Sequence, residues 1–171
     1  HGFGMLTTPS NVFIGNWEND EFTGWGRITK RNGLILEGKF YRGKLEGKGV
    51  VNNGIGVSYV GDFNHSKRHG KGVLDTSKVH YEGDFVEDKL EGNGHIVFKN
   101  EGHVYEGEFS ENEINGYGKF KWNNGDYYIG QMKNGKINGK GKYVGKNGKV
   151  FIGNFINGVK QAGGITYQIE K

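Results

Sequence analysis

The chain has 171 residues, with 33 glycines, one proline, no cysteine and a formal net charge of +4, a length that suits one ordinary domain or a short repeat array. The lack of cysteine removes disulfides, thiolate metal sites and thiol nucleophiles and favours a reducing compartment, and no window approaches the roughly 18 consecutive apolar residues of a membrane-spanning helix. Glycine without a Gly-X-Y register excludes collagen, and 11 phenylalanines, 9 tyrosines and 3 tryptophans exclude a flexible linker.

His1-Gly2-Phe3-Gly4 opens the chain in mid-pattern, so residues 1–12 read as the tail of a truncated preceding repeat. The first full unit starts at Phe13, and others start at Leu36, Tyr59, Tyr81, Tyr105, Tyr128 and Phe151, in steps of 23, 23, 22, 24, 23 and 23. Residues 13–171 are therefore an array of seven repeats. Two residues after each start lies a glycine, from Gly15 to Gly153. Four after it lies Trp17, Phe40, Phe63, Phe85, Phe109, Met132 or Phe155. Glycines return eleven and thirteen residues after the start, as in Gly24 and Gly26, until the last unit, which has Ala162 before Gly164.

Alternation with a period of two predicts a strand, with the start, the glycine and the second aromatic on one face. Asn134-Gly135 and Asn157-Gly158 then mark a two-residue hairpin turn, six and seven residues after the start. If that turn alone sets the register, opposed offsets sum to thirteen. The second aromatic then faces offset nine, glycine faces glycine at eleven, and the starting ring faces the glycine at thirteen, with bare backbone to lie on. Offset nine holds Phe22, Leu45, Arg68, Leu90, Ile114, Ile137 and Lys160, apolar in five of seven. On the opposite face the same register pairs Glu37 with Lys48, Asp62 with His69 and Val60 with Lys71. An odd repeat length also demands one odd connection per unit. A three-residue loop ending in a left-handed glycine fits at Gly33, Gly125 and Gly148. The predicted fold is all-β: an elongated, single-layer antiparallel meander of seven stacked hairpins, twisted and curved, with little or no helix.

The repeat leaves little room for an active site. His65 and His69 fall on a turn and the strand after it, which gives no metal centre. Glu82, Asp84, Glu106 and Glu108 recur at fixed repeat positions, as a solvated face does, and do not converge as a catalytic pair would. The Gly-x-Gly pairs lack the third glycine and helix of a nucleotide site. Asn115–Trp122 has the glycine–aromatic alternation of an RNA-binding strand, but every repeat shares it, so no nucleic-acid partner is assigned. No catalytic residue, metal or cofactor is expected.

Charge is the feature that the repeat does not explain. Residues 1–80 carry a net +4, residues 81–118 a net −8 and residues 119–171 a net +8. Two candidate surfaces follow. One is a partner-binding aromatic groove formed by Trp17, Phe40, Tyr59, Phe63, Tyr81, Phe85, Tyr105, Phe109, Tyr128, Met132 and Phe155. The other is a basic end, Lys133, Lys136, Lys140, Lys142, Lys146 and Lys149, suited to an acidic protein segment or anionic phospholipid.

The segments "HYEGDF" (80–85), "VYEGEF" (104–109) and "RHGKGV" (68–73) resemble the MORN repeat, and the resemblance covers essentially the whole chain. Leu36, Met132 and Ala162 depart from that pattern. The resemblance implies a non-catalytic scaffold that binds an extended or helical segment of another protein, self-associates, and sits in a cytoskeletal or ciliary (axonemal) assembly. It equally implies a phospholipid-directed module at the cytoplasmic membrane face, or an accessory repeat region of a larger enzyme such as a phosphatidylinositol-phosphate kinase. Either setting is cytoplasmic.

Overall fold

A computed structural model describes residues 1–170 and contains sixteen β-strands; among the described residues there is no helix. The strands form one open antiparallel sheet in which the first fifteen lie side by side in chain order, and the sixteenth pairs with the fourteenth. By internal contacts the chain divides into two units: His1–Ser77 with Asp84–Asp88, and Lys78–Gly83 with the chain from Lys89 onward.

The first unit contains β1 (Gly2–Thr7), β2 (Asn11–Glu18), β3 (Glu21–Lys30), β4 (Ile35–Tyr41), β5 (Lys44–Asn52), β6 (Ser58–Asn64) and β7 (Lys67–Asp75). The second contains β9 (Lys89–Phe98), β10 (His103–Ser110), β11 (Glu113–Lys121), β12 (Tyr127–Lys133), β13 (Lys136–Val144), β14 (Lys149–Ile156), β15 (Val159–Lys160) and β16 (Ile165–Gln168). Residues of β8 (Val79–Val86) belong to both.

All seven two-residue turns have a left-handed backbone at both positions, from Asn19 (φ 50°) and Asp20 (φ 63°) to Asn157 (φ 49°) and Gly158 (φ 83°). This is the turn whose twist matches that of the flanking strands. The odd connection is also where the repeat length requires it. Lys30 N–H donates to Leu34 O at 2.8 Å and Gly33 N–H to Lys30 O at 2.9 Å, closing a three-residue loop on a left-handed glycine. The loops ending at Gly125 and Gly148 repeat it.

The register differs from the thirteen-sum rule by two residues. Trp17 faces Phe22 as expected, but Gly15 faces Gly26, and Phe13 faces Ile28. The same irregularity lies between Gly61 and Phe63, Gly107 and Phe109, and Gly130 and Met132. The second strand of each of these hairpins bulges around the glycine at offset eleven, left-handed at Gly24 (φ 75°) and Gly70 (φ 76°). Opposite-face pairs shift accordingly. Glu37 lies across from Arg27 and Val50, with its carboxylate 3.4 Å from Arg27. Asp62 pairs with Lys48 at 2.7 Å and accepts Lys71 N–H, while Val60 lies between Val50 and Val73.

Ring and bare backbone still meet, but diagonally. A Cβ on Gly94 would fall 2.6 Å from Tyr81 Cζ, and Tyr59, Tyr81, Tyr105, Tyr128 and Phe151 each lie over the glycine pair of their own hairpin, a place taken by Phe22 and Leu45 in the first two repeats. The bulge leaves the carbonyl three residues after the start without a ladder partner, and the ring hydroxyl takes it. Tyr59 Oη donates to Asp62 O at 2.9 Å, Tyr105 Oη to Glu108 O at 3.1 Å and Tyr128 Oη to Gln131 O at 2.9 Å. Neighbouring repeats then interlock edge to face. Tyr59 meets Phe85 at 5.0 Å in the first unit, and Tyr81 meets Phe109 at 5.1 Å and Tyr128 meets Phe155 at 5.3 Å in the second.

Candidate interaction surface

The rings assigned from sequence to an open groove are brought together on one face, and the structure closes that face over most of them. Phe40, Tyr59, Phe63, Tyr81, Phe85, Tyr105, Phe109, Tyr128, Met132 and Phe155 are all buried, and only Trp17 is half-buried. They form the packed interior of their units, so what a partner can reach lies beside them. Burial pushes the hydroxyls of Tyr59, Tyr105 and Tyr128 up to about 12.

A groove of about 550 Å³ remains in the second unit. Its floor is Met132, Ile137 and Phe155. Phe120, Trp122 and Tyr143 form an aromatic wall, and the turns at Gly135 and Gly158, with Lys136 and Lys160, complete the lining. Phe120, Trp122 and Tyr143 are half-buried, and Trp122 contacts both of the others, with centroids 4.8 Å and 5.8 Å apart. Asp126 fixes the Tyr143 end of that wall. It accepts the Tyr143 hydroxyl and Lys146 N–H, which hold its carboxyl below the ordinary range, and burial with that bond pushes Tyr143 up to about 12. Sequence reasoning missed Phe120, Trp122, Tyr143 and Lys160 as site residues. The signal available was offset fifteen, where Phe120 and Tyr143 are bulky and aromatic instead of aliphatic, as Ile28 and Ile96 are.

The polar residues at offset nine, Arg68 and Lys160, become cations over rings. Arg68 lies 5.8 Å from the Tyr59 centroid and 5.2 Å from Phe85. Lys160 lies 4.7 Å from Tyr143 and 5.1 Å from Phe151.

Ion pairing makes the two charged blocks unequal. Carboxylates of the acidic stretch are engaged by cations of the preceding repeat: Lys67 with Glu87 at 2.7 Å, Arg68 with Asp88 at 3.2 Å, and Lys71 with Asp84 and Lys89 with Glu111 in close contact. In the basic end, Lys133, Lys136, Lys140, Lys146 and Lys149 are exposed and Lys142 half-buried. Among the described residues none of these six has a carboxylate within ion-pair distance. On the outer face, Lys119, Ile129, Lys142, Ile152 and Ile165 follow one another as cross-strand partners from β11 to β16.

His65 and His69 do not converge on a third ligand. His65 lies on its turn, donating its backbone N–H to Glu46, and His69 Nδ1 is 4.0 Å from Glu87.

Repeated hairpins stacked by their turns, with interlocked rings and an uneven charged surface, define a tandem β-hairpin interaction module. The MORN repeat model matches residues 13–35, 37–51, 59–77, 81–103, 105–127 and 128–150, and the chain belongs to the MORN-repeat family, whose repeats commonly mediate protein or membrane interactions. Comparison with curated proteins finds no match.

Proposed function

We propose that this chain is a non-catalytic scaffold that holds an acidic segment of another protein, within a cytoskeletal or ciliary assembly at the cytoplasmic side. The observation that carries this reading is the unpaired set of lysines at 133, 136, 140, 142, 146 and 149, in a chain whose acidic stretch has Asp84, Glu87, Asp88 and Glu111 engaged by its own cations. Such a surface contributes steering and orientation to an encounter with an anionic partner. A second reading, docking on anionic phospholipid, is favoured by the outer row that carries Lys119 and Lys142 and ends in Ile152 and Ile165, 41% and 65% exposed.

Fluorescence anisotropy with a labelled oligoglutamate peptide, run beside sedimentation with phosphatidylserine vesicles, tests both. The scaffold reading expects peptide binding that weakens with salt and disappears when the six lysines become glutamine. Vesicle binding without peptide binding would replace it with the membrane reading, and binding to neither would end both.

A further inference from the structure

The stacking of one repeat on the next contains a polar contact that the last turns omit. In three turns the second residue places a side-chain oxygen on the backbone N–H at offset nine of the preceding repeat. Leu45 N–H donates to Ser66 Oγ at 3.0 Å, Arg68 N–H to Asp88 Oδ1 at 2.8 Å, and Leu90 N–H to Asn112 Oδ1 at 2.9 Å. In the turn at Arg42-Gly43 and in the last two turns that residue is glycine, Gly43, Gly135 or Gly158. The backbone bond survives, with Gly158 N–H donating to Ile137 O at 2.8 Å, but no side chain among the described residues accepts from Ile137 N–H. A Cβ on Gly158 would meet nothing within 4 Å, so the acceptor's place is open.

Ile137 and Gly158 both border the 550 Å³ groove, as does Lys160. Lys160 occupies the repeat position of Arg68, whose Nε donates to Asp88 Oδ1 at 3.2 Å. Lys160 has ring contacts but no carboxylate. The groove thus offers a backbone donor from one repeat, Ile137 N–H, and an ammonium group from the next, Lys160, neither with a carboxylate, beside a half-buried aromatic wall; at Arg68 the amide and the guanidinium that hold Asp88 belong to a single residue. A buried or partly buried donor without an acceptor favours a ligand that supplies one.

We infer that this groove takes a peptide segment bearing a carboxylate next to an aromatic side chain, the carboxylate standing where Asp88 stands between repeats. It accepts from Ile137 N–H and Lys160 Nζ, and the ring lies against Trp122 and Tyr143. This rests on the reading that the chain binds an acidic protein segment, and it names the chemistry that the groove selects.

The probe is a capped Leu-Asp-Phe-Glu-Leu peptide, compared with its Asn/Gln counterpart by calorimetry on the whole chain, with the Ile137 amide followed by NMR. The acidic peptide should bind about tenfold more tightly than the amide one, as expected for a charge-assisted bond, and should shift the Ile137 amide. Gly158→Asp places a carboxylate in the open position, at a turn site where Asp20 and Asp88 already adopt the left-handed backbone. It should weaken peptide binding about tenfold and raise the melting temperature, while Gly158→Ala leaves binding within a few fold. Lys160→Gln, which leaves the turn intact, should weaken binding too. Equal binding of the two peptides, or binding untouched by both Gly158→Asp and Lys160→Gln, overturns the inference. If the groove peptide fails while oligoglutamate still binds the wild-type chain, this inference falls and the scaffold reading stands; if both fail, both fall.

Discussion

At the scale of single residues, the glycine pairs are set by the ring above them. Gly107 faces Gly118 across β10 and β11, and a Cβ on Gly118 would stand 2.5 Å from Tyr105 Cζ. Gly118 does not have a left-handed backbone, so the cost of alanine there is steric rather than conformational. Gly118→Ala should therefore lower stability by about 1–3 kcal/mol, read from urea unfolding. Tyr105→Leu supplies the control, since Leu36 shows that the starting position accepts an aliphatic side chain. In that background the added methyl should cost clearly less, and a cycle with no coupling would show that something other than the ring excludes it.

At the scale of the hairpin, the turn chemistry is legible and not optimal. Asn134-Gly135 and Asn157-Gly158 have the residues that a doubly left-handed turn favours, whereas the turn at Arg42-Gly43 puts a long side chain at φ 48°. Arg42 is held only by a mostly exposed contact with Glu21 at 3.5 Å and by the Tyr41 ring at 5.4 Å, contacts that contribute little at a surface. Arg42→Asn should raise the melting temperature by about 2–4 °C, the shift that ~1 kcal/mol gives a chain of this size. A fall would show that the lost contacts outweigh the relieved backbone. The turns, the repeat phase, the strand faces and the three-residue loops were all readable because each leaves a mark in residue type. The bulge around Gly24 and its counterparts was not. A shift of two residues returns every side chain to the same face, so alternation looks identical with or without it, and the glycine at offset eleven fits either register. The closing of the aromatic face was unreadable for a related reason. Sequence shows that Tyr59, Phe63 and Phe85 share a side, but how closely strands bring rings together depends on geometry summed over several repeats. The groove at Trp122 is where that packing stops short.

For the molecule as a whole, the tyrosine hydroxyls couple the core to alkaline pH. Tyr59 in the first unit, and Tyr105, Tyr128 and Tyr143 in the second, are each pushed up to about 12, with burial the largest cause in every case. An unfolded tyrosine loses its proton near pH 10. The folded state therefore keeps protons that the unfolded state has given up, and stability falls with rising pH wherever that holds. The contribution of these groups is fully present below about pH 10 and is lost as pH rises through about 12. The hydroxyls of Tyr59, Tyr105 and Tyr128 also donate to the carbonyls that the bulges leave open, so deprotonation removes a bond and puts a charge against a lone pair at the same point. Unfolding free energy measured between neutral pH and pH 12 should stay level and then drop steeply, together with the late rise of tyrosinate absorbance. Tyr105→Phe should make the drop shallower, because a phenyl ring at that position, as at Phe13 and Phe151, has no proton to lose. If all nine tyrosines instead titrate together near pH 10 without loss of structure, the hydroxyls are not shielded, and the link between bulge, carbonyl and ring does not hold.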